Sequence, residues 1–310
     1  TPLALVLAAS SAGALSLAEI GDEVARSLDV LETEIRDMPA RHRSMRGVFD
    51  ATWARLPPAE QQAFAVLSLF RGGFTREAAL AVTGRSISTL VSLHSKSLVR
   101  HQDRRYSIHE LLRQFGATKL TESGGRKSAE TAYAEHFLGW LASREPALPD
   151  LEMAAVAEID ADFENIRQAW TIGVEDERHD LIEACLASLM QYCRLRGRMP
   201  DAHALLSSAV VSAGPARVRA RLFAQRADAN ESIGAFAQEI EDARSALGSS
   251  DVTWAPRESI WLLNRHGYAL RRLGDFAGAL AVFDGAMTLC RQAEDDHSEA
   301  ETLSHIGMVR

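Results

Sequence analysis

A glycine-centred pattern that returns in the second half of the chain restricts its fold more than any other feature. The copies lie 37–40 residues apart, and each joins a glycine to apolar residues at helical spacing: Gly197 with Ala202, Leu206 and Ala209; Gly234 with Phe236, Ala243 and Ala246; Gly274 with Phe276, Ala279, Phe283 and Ala286. Gly267 returns forty residues later as Gly307. Small residues let two antiparallel helices cross closely, and a glycine allows the turn between them. The pattern therefore predicts stacked helical pairs.

The spacing resembles that of tetratricopeptide repeats, lengthened from their usual period of roughly 34 residues. This resemblance covers residues 181–310, is clearest at 257–292, and predicts a last repeat that is cut short at the end of the chain. In such an array each pair buries its apolar face against its neighbours. An unrelated helical bundle is the alternative interpretation.

The stretch Arg105–Gly116 is a second constraint, because the hydrophobic period changes within it. Tyr106 and Ile108 alternate with polar residues, as in a half-buried strand, and apolar residues then recur at helical spacing. His109 lies at the junction. A helix N-terminus presents free N–H groups and partial positive charge, so it suits anions. A histidine there can titrate, donate to a phosphate or simply cap the helix, and the sequence leaves these roles open.

The residues before this junction predict three helices and a hairpin. The boundaries follow from capping, turn and alternation patterns: Pro58 begins the first helix, Thr75 and Gly84 bound the second, Ser86 caps Ile87–His94, and strands Leu98–Arg100 and Arg105–Ile108 flank a turn at Gln102-Asp103. This order predicts a winged-helix domain over residues 41–126. The predicted fold class is thus mainly α: a winged-helix domain with a small β hairpin, followed by an α-solenoid of tetratricopeptide-like helical hairpins.

The other segments are also predicted to be helical. Residues 1–40 contain two apolar runs at helical spacing, Pro2–Ala9 and Leu17–Leu31. Residues 127–180 are predicted to form a helical linker region. Within it, Asp160, Asp162 and Glu164 are interpreted as carboxylates at a helix start, where they favour the helix dipole.

The net charge of −8 is distributed unevenly along the chain. Residues 41–126 hold 14 Lys and Arg against 6 Asp and Glu, whereas the remainder is acidic. A basic module can bind phosphates, and four cations around the predicted wing are candidates for contact with DNA: Lys96, Arg100, Arg104 and Arg105. Attraction between the two parts of one chain is the alternative. The predicted recognition helix lacks the Arg, Asn or Gln needed for bidentate base contacts, so sequence-specific reading is not expected.

The order of these pieces resembles the bacterial STAND-class signalling ATPases, NB-ARC-like and AAA-related regulators that join a nucleotide-binding core, a winged helix and tetratricopeptide repeats. Four segments carry the resemblance: Thr1–Leu5, Ala40–Arg46, Leu56–Thr75 and Ser95–Phe115. The resemblance implies that Pro2 lies against the adenine and that residues 1–40 end the nucleotide-binding region. It also implies that His109 contacts the β-phosphate of ADP, and that the full-length protein uses ADP or ATP with Mg.

The elements that would hydrolyse a nucleotide are missing from this sequence. It contains no G-x-x-x-x-G-K-[ST] loop, and Gly124–Ser128 departs from that motif because Arg126 separates glycine from lysine. We therefore expect that this chain alone neither holds ADP or ATP nor acts as an enzyme. His94, His101 and His109 lack the cysteine or acidic partners of a metal site, so no metal is expected.

These inferences predict the regulatory and sensor part of a nucleotide-switched signalling or transcriptional regulator. The winged helix would lock the off state of a nucleotide-binding core that this sequence lacks. The repeats would bind a protein or small-molecule inducer, with ligand-induced oligomerisation. No membrane partner is expected, and three cysteines without a C-x-x-C pair predict buried thiols in the cytoplasm. A DNA-binding winged-helix transcription factor and a nucleotide-independent interaction scaffold are the alternatives.

Overall fold

The computed structural model describes residues 45–144, 153–211 and 214–310, which form fourteen helices and one two-stranded hairpin. The mainly α fold class is therefore confirmed. The helices are α1 Met45–Trp53, α2 Pro58–Leu67, α3 Arg76–Thr83, α4 Ile87–Ser95, α5 Glu110–Glu122, α6 Arg126–Ala142, α7 Met153–Glu175, α8 His179–Leu195, α9 Met199–Val210, α10 Ala216–Ile233, α11 Phe236–Leu247, α12 Pro256–Arg272, α13 Phe276–Ala293 and α14 Asp296–Gly307; the strands are β1 Arg100–Gln102 and β2 Arg105–Ser107. None of the described helices is both long and apolar enough to cross a membrane.

The chain divides into two compact units. Of the described residues, the hairpin unit comprises those up to Phe137 together with Ala161–Ala169, and the repeat unit comprises those in Leu138–Asp160 and Trp170–Arg310. Helix α7 contributes residues to both units. The predicted domain boundaries after residues 40, 126 and 180 stay predictions. Pro2 and the two apolar helices predicted near the start of the chain lie outside the described residues.

Local capping patterns set the ends of the first helices in the hairpin unit. Pro58 lies in the first turn of α2, where a missing N–H breaks no helical hydrogen bond. The Thr75 hydroxyl accepts a hydrogen bond of 3.1 Å from the first turn of α3, and Gly84 ends that helix with φ +61°. Ser86 is the N-cap residue of α4, but its hydroxyl lies 2.7 Å from Ser88 Oγ and does not bind a backbone N–H.

The hairpin turns one residue later than the sequence predicts. β1 and β2 pair antiparallel with Gln102 opposite Arg105, so the predicted strands Leu98–Arg100 and Arg105–Ile108 are shifted and shortened. The two turn residues are Asp103 and Arg104, with φ of +50° and +64°. A left-handed backbone is uncommon at arginine, so local preference alone does not indicate the turn that the structure has.

A backbone bridge ties this hairpin to the turn that follows α2. Phe74 and Tyr106 exchange two hydrogen bonds of 2.8 Å, and their rings stack with centroids 6.0 Å apart. Gly73, which precedes the bridge, has φ +103°, and a Cβ there would lie 2.9 Å from the Tyr106 carbonyl oxygen. The close approach and the positive φ both require glycine at this position.

The repeat unit contains the predicted helical pairs. The first helices of successive pairs, α8, α10, α12 and α14, begin at residues 179, 216, 256 and 296, so the period is 37 and then 40 residues. A glycine with positive φ lies in the turn inside each complete pair: Gly197 at +66°, Gly234 at +74° and Gly274 at +86°. Cys185, Cys193 and Cys290 are buried free thiols, as predicted.

Gly267 lies where α12 crosses α13. A Cβ at this position would lie 2.5–2.8 Å from three atoms of the fully buried Phe283 ring. Phe283 belongs to a buried cluster that includes Ala279, and close packing in such a cluster leaves the ring little room to move. We expect Gly267→Ala to lower the free energy of unfolding by about 1–3 kcal/mol through overpacking, although alanine favours helix. Urea unfolding followed by circular dichroism measures this change.

Gly307 supplies the matched control for that substitution. The sequence pattern predicts a close helix crossing at Gly307 as well, and this stays a prediction, because no helix follows α14 in this sequence; among the described residues a Cβ at Gly307 would meet no atom within 4 Å. Gly307→Ala should therefore leave stability unchanged or slightly raised. A Gly267→Ala variant that unfolds at the same urea concentration as Gly307→Ala would contradict the overpacking argument.

Candidate functional site

An open cavity in the hairpin unit brings together the three histidines near the hairpin. It has a volume of about 680 Å³ and lies against the end of α4, the hairpin and the start of α5. Its apolar lining includes Phe49, Leu98, Val99, Leu111 and Leu112, and its polar lining includes His94, Ser97, Arg100, His101, Gln102, Ser107 and His109. One guanidinium and several hydrogen-bond donors on an apolar wall suit a small anion.

His109 is the N-cap residue of α5 and lines this cavity. Its Nδ1 accepts a hydrogen bond of 3.3 Å from the backbone N–H of Leu111. A neutral imidazole carries one proton, so this contact places the proton on Nε2. Nε2 has no hydrogen-bond partner among the described residues. His109 therefore caps its helix and still offers a donor to a ligand, so two of the roles left open by the sequence are compatible.

The surroundings of His109 favour its neutral form. Burial lowers its pKa below the usual value, and the nearby Arg100 guanidinium lowers it further. Glu110 acts in the opposite direction, but its carboxylate is paired with Arg113 at 2.5 Å. At neutral pH the site thus combines the positive charge of Arg100 with a directional, uncharged donor at His109. A phosphate group can accept hydrogen bonds from both of these donors.

The other two histidines contact the hairpin. His94 Nδ1 lies 3.0 Å from the carbonyl oxygen of Val99, and the His101 ring lies 4.4 Å from that of Tyr106, measured between centroids. The His94 and His101 rings are 6.2 Å apart. Among the residues that the structure describes, no group of three His, Cys, Asp or Glu side chains could hold a metal ion.

Two of the four cations predicted to contact DNA are paired within the hairpin unit. Lys96 forms an ion pair with Glu60, and Arg105 donates hydrogen bonds of 2.7 and 3.1 Å to Asp162. The other two, in β1 and in the turn, are exposed and form no ion pair with any described residue. Half of the predicted basic patch is therefore neutralised by carboxylates of the same unit.

The exposed face of α4 includes two aliphatic side chains among polar ones. Ile87 and Val91, one helical turn apart, are 41% and 54% exposed. Hydrogen bonding to base edges in the major groove needs guanidinium, amide or similar side chains, and aliphatic side chains supply none. That this helix does not read a DNA sequence stays a prediction.

A buried polar network centred on Asn165 in α7 was missed by the sequence analysis. Asn165 has no exposed surface, and its Oδ1 accepts hydrogen bonds from the backbone N–H of Arg71 at 2.6 Å and from the Tyr133 hydroxyl at 2.8 Å. Its Nδ2 donates to the Gly73 carbonyl and to Asp162, both at 2.8 Å. Because Asp162 also binds β2, the network fixes both the turn after α2 and the hairpin against α7.

The carboxylates near Asn165 lie in the middle of a helix and not at its start. α7 begins at Met153, so the interpretation that they favour a helix dipole is wrong. Each has a side-chain partner instead: Asp160 with Tyr192 and Arg196, Asp162 with Arg105, and Glu164 with Arg167. The apolar spacing identified the helix only from Phe163 onward, so its first turns were not recognised.

Comparison with known proteins finds partial relatives. The chain matches no protein-family model. It is 28% identical over 180 residues to curated proteins described as HTH-type transcriptional regulators, one from Mycobacterium bovis and two from strains of Mycobacterium tuberculosis. The match covers 54% of this chain and only 20% of each relative. The chain thus spans about a fifth of the length of the curated relatives that it matches.

A solved structure was also found. It is the crystal structure of a signal transduction ATPase with numerous domains, with a tetratricopeptide repeat sensor, from Pyrococcus horikoshii. The alignment covers 99% of this chain and 56% of that one, with 14% identity and a TM-score of 0.34. A score this low does not establish a shared fold.

Proposed function

We propose that this chain is the regulatory part of a larger, nucleotide-switched signalling or transcriptional regulator. In this proposal the hairpin unit docks on a nucleotide-binding core and contacts the β-phosphate of ADP through His109. The repeat unit binds an inducer, and an inducer that prefers the open form shifts the protein towards it. The description of the curated relatives as transcriptional regulators supports a role in transcription.

The observation that carries this proposal is the unpaired Nε2 donor of His109 beside Arg100 in the 680 Å³ cavity. A histidine that served only as a cap would need its Nδ1 acceptor alone. His109 lines the cavity, and the neutral form of the ring keeps its other nitrogen a donor, so an anion in the cavity is proposed to bind that nitrogen. Catalysis is not assigned to this chain, and the hydrolytic groups are proposed to lie in the nucleotide-binding core.

Replacing His109 by asparagine in the full-length protein should accelerate the release of bound ADP roughly tenfold or more. A hydrogen bond to a charged group contributes about 1.5–3 kcal/mol, and 1.4 kcal/mol is tenfold in affinity. Asparagine is a good N-cap residue, so α5 keeps its cap while the Nε2 donor is lost. Displacement of a fluorescent ADP analogue, followed by stopped flow, measures the release rate.

His203→Asn in α9 is the matched control for that measurement. It makes the same chemical change at a histidine that is not among the residues lining the cavity, and should leave ADP release unchanged. Equal rates of ADP release for His109→Asn and the unmodified protein would contradict the proposed contact between His109 and the phosphate. If mass spectrometry finds no nucleotide in the full-length protein after gentle purification, the proposed nucleotide switch is contradicted.

A further inference from the structure

A second cavity lies between the N-terminal halves of α12 and α14, which contact each other in the repeat unit. It is open on one side and has a volume of about 340 Å³. The two helices begin at residues 256 and 296, so residues forty positions apart take equivalent places on them. Trp261 and Glu301 are equivalent in this sense, and both line the cavity. An aromatic ring and a carboxylate therefore meet across it.

Trp261 forms the apolar wall of this cavity, with the buried Ile260 beside it. Trp261 is partly buried and packs against a buried apolar cluster that includes Leu262. The Arg265 guanidinium, which is paired with Glu231, lies 6.0 Å from the centroid of the Trp261 ring. These contacts hold the ring in place before any ligand binds, so the apolar part of a ligand meets a preformed aromatic surface.

Glu301 brings to the cavity a carboxylate that no Lys or Arg among the described residues pairs with. Its Oε1 lies 3.9 Å from Nε2 of His305, one turn further along α14. Burial lowers the pKa of His305 below its usual value, although Glu301 itself acts in the opposite direction, so the ring is mostly uncharged at pH 7. Glu301 also lies beyond the first turn of α14, where a carboxylate would favour the helix dipole. Neither an ion pair nor the dipole accounts for a carboxylate at this position.

Glu258 brings a second carboxylate to the cavity. One of its oxygens, Oε2, accepts a hydrogen bond of 2.9 Å from the backbone N–H of Ala255 and so helps to cap α12. The other oxygen has no hydrogen-bond partner in the part of the chain that the structure describes. Glu258 therefore has a structural role at the start of its helix and can still accept a hydrogen bond from a ligand.

The basic residues of the cavity, Arg257 and His297, do not cancel the charge of these two carboxylates. Arg257 Nε lies 3.5 Å from Oδ2 of Asp295, and the charge of His297 acts on the same carboxylate. Asp295, Glu258 and Glu301 together carry three negative charges when ionised. One guanidinium and one imidazole oppose them, so this end of the two helices stays negative even with His297 protonated. The cavity therefore favours a cation over an anion.

We infer that this cavity binds a small organic ammonium ion that carries an apolar group. The ammonium donates hydrogen bonds to Glu301 and to the free oxygen of Glu258, and the apolar group lies against Trp261. An ammonium has several N–H donors and no acceptor, so it can bind both carboxylates at once, and it is also attracted to an aromatic ring. This inference rests on the proposed role of the repeats as the inducer-binding part and names a chemical class for the inducer.

Isothermal titration calorimetry of the purified chain with three related ligands tests this inference. 2-Phenylethylamine carries the ammonium, 2-phenylethanol replaces it by a hydroxyl, and phenylalanine adds a carboxylate next to it. We expect the amine to bind about tenfold or more tightly than either of the other two at pH 7. Glu301→Gln should weaken binding of the amine about tenfold and leave that of the alcohol nearly unchanged. Trp261→Leu should weaken both.

Glu299→Gln is the matched control, because it removes the same charge from α14 at a residue that does not line the cavity. It should leave the affinity for the amine nearly unchanged. Equal losses in Glu299→Gln and Glu301→Gln would overturn the inference, since they would show only a general attraction between charges.

The ligand series can contradict the inference independently. Equal affinities for the amine and the alcohol, tighter binding of phenylalanine than of the amine, or no binding of the amine at millimolar concentration would each overturn it. Circular dichroism checks that every variant is folded, and if Trp261→Leu is not, the comparison of Glu301→Gln with Glu299→Gln still decides. Amine binding needs no nucleotide, so it can succeed where the ADP-release measurement fails, and the reverse.

Discussion

Replacing Asn165 by leucine should lower the free energy of unfolding by about 3–5 kcal/mol. Leucine fills a similar volume but removes four hydrogen bonds at once. The Tyr133 hydroxyl, which is fully buried, would lose its partner without gaining one from water, and the Gly73 carbonyl would lose its partner as well. A buried polar group left unpaired costs about 1–3 kcal/mol, and the network contains more than one such group.

Hydrogen exchange followed by mass spectrometry shows whether the loss is local to the hairpin unit. Peptides that contain the Gly72–Phe74 turn and β2 should exchange much faster in Asn165→Leu, because the network fixes both of them to α7. Glu164→Ala, at the neighbouring exposed position, is the control and should change stability by less than about 0.5 kcal/mol. Unchanged exchange at the turn and at β2 in Asn165→Leu would show that the network does not hold the hairpin.

A second substitution at Asn165 keeps the size of the side chain but removes the two hydrogen bonds that Nδ2 donates. Asn165→Asp keeps the two acceptor contacts, to Arg71 and Tyr133, but places a second carboxylate beside Asp162. Two close carboxylates cannot both ionise without cost, so we expect destabilisation at pH 7 that diminishes as the pH falls towards 4. Stability that is independent of pH relative to the unmodified chain would contradict this account.

The parts of the fold that were predicted correctly depend on neighbours in sequence. Pro58, Thr75 and Gly84 act through the first or last turn of their own helices, so their effect can be read from a few residues. The repeat pairs were predictable because the same local solution, a glycine turn and small residues at a crossing, occurs again after 37–40 residues. A pattern that occurs several times along a chain is stronger evidence for a repeated structural unit than one copy of it would be.

The parts that were missed depend on residues far apart in sequence. Asn165 contacts residues more than ninety positions away, and a single asparagine on a helix has no pattern that identifies such partners. The turn at Asp103-Arg104 was missed for another reason, since the chain holds an arginine in a conformation that its own side chain does not favour. Tertiary contacts, including the bridge from Phe74 to Tyr106, fix the register of that hairpin.

The candidate site was predictable in composition but not in geometry. His109 was identified from its position at a strand-to-helix junction. Its roles in capping and binding depend on what each ring nitrogen contacts, and the sequence does not give those contacts. Lys96 and Arg105 appeared available as cations, but their partners Glu60 and Asp162 lie 36 and 57 residues away. The spacing of charges along a sequence does not show which of them are already neutralised.

Glu239→Gln should raise the stability of the repeat unit at pH 8 by on the order of 4 kcal/mol, the second large effect expected here. Glu239 lies in α11 with no exposed surface, and neither carboxylate oxygen has a hydrogen-bond partner among the described residues. Burial raises its pKa to about 8, and the charge of Asp228 adds to this effect, whereas Arg272 opposes it. An ionised carboxylate that is buried without a hydrogen-bond partner destabilises the folded chain.

The sign of the pH dependence follows from the raised pKa. Glu239 binds a proton more tightly in the folded chain than in the unfolded chain, where its pKa is near 4.5. Its favourable contribution is complete below pH 4.5 and is lost as the pH rises towards 8, at about 1.4 kcal/mol per pH unit. Glutamine is never ionised, so the Glu239→Gln variant should match the unmodified chain near pH 4.5 and exceed it increasingly up to pH 8.

Urea unfolding between pH 5 and 8 measures that difference, and subtraction of the two profiles isolates Glu239. His266 has its pKa lowered to about 4 by burial, so it destabilises the fold as the pH falls below 6.5 in both proteins and cancels in the difference. Glu241→Gln, on the exposed side of the same helix, should give a profile parallel to that of the unmodified chain. If the Glu239→Gln profile is also parallel to that of the unmodified chain, Glu239 ionises in the folded chain with little loss of stability. That result would contradict a raised pKa at Glu239.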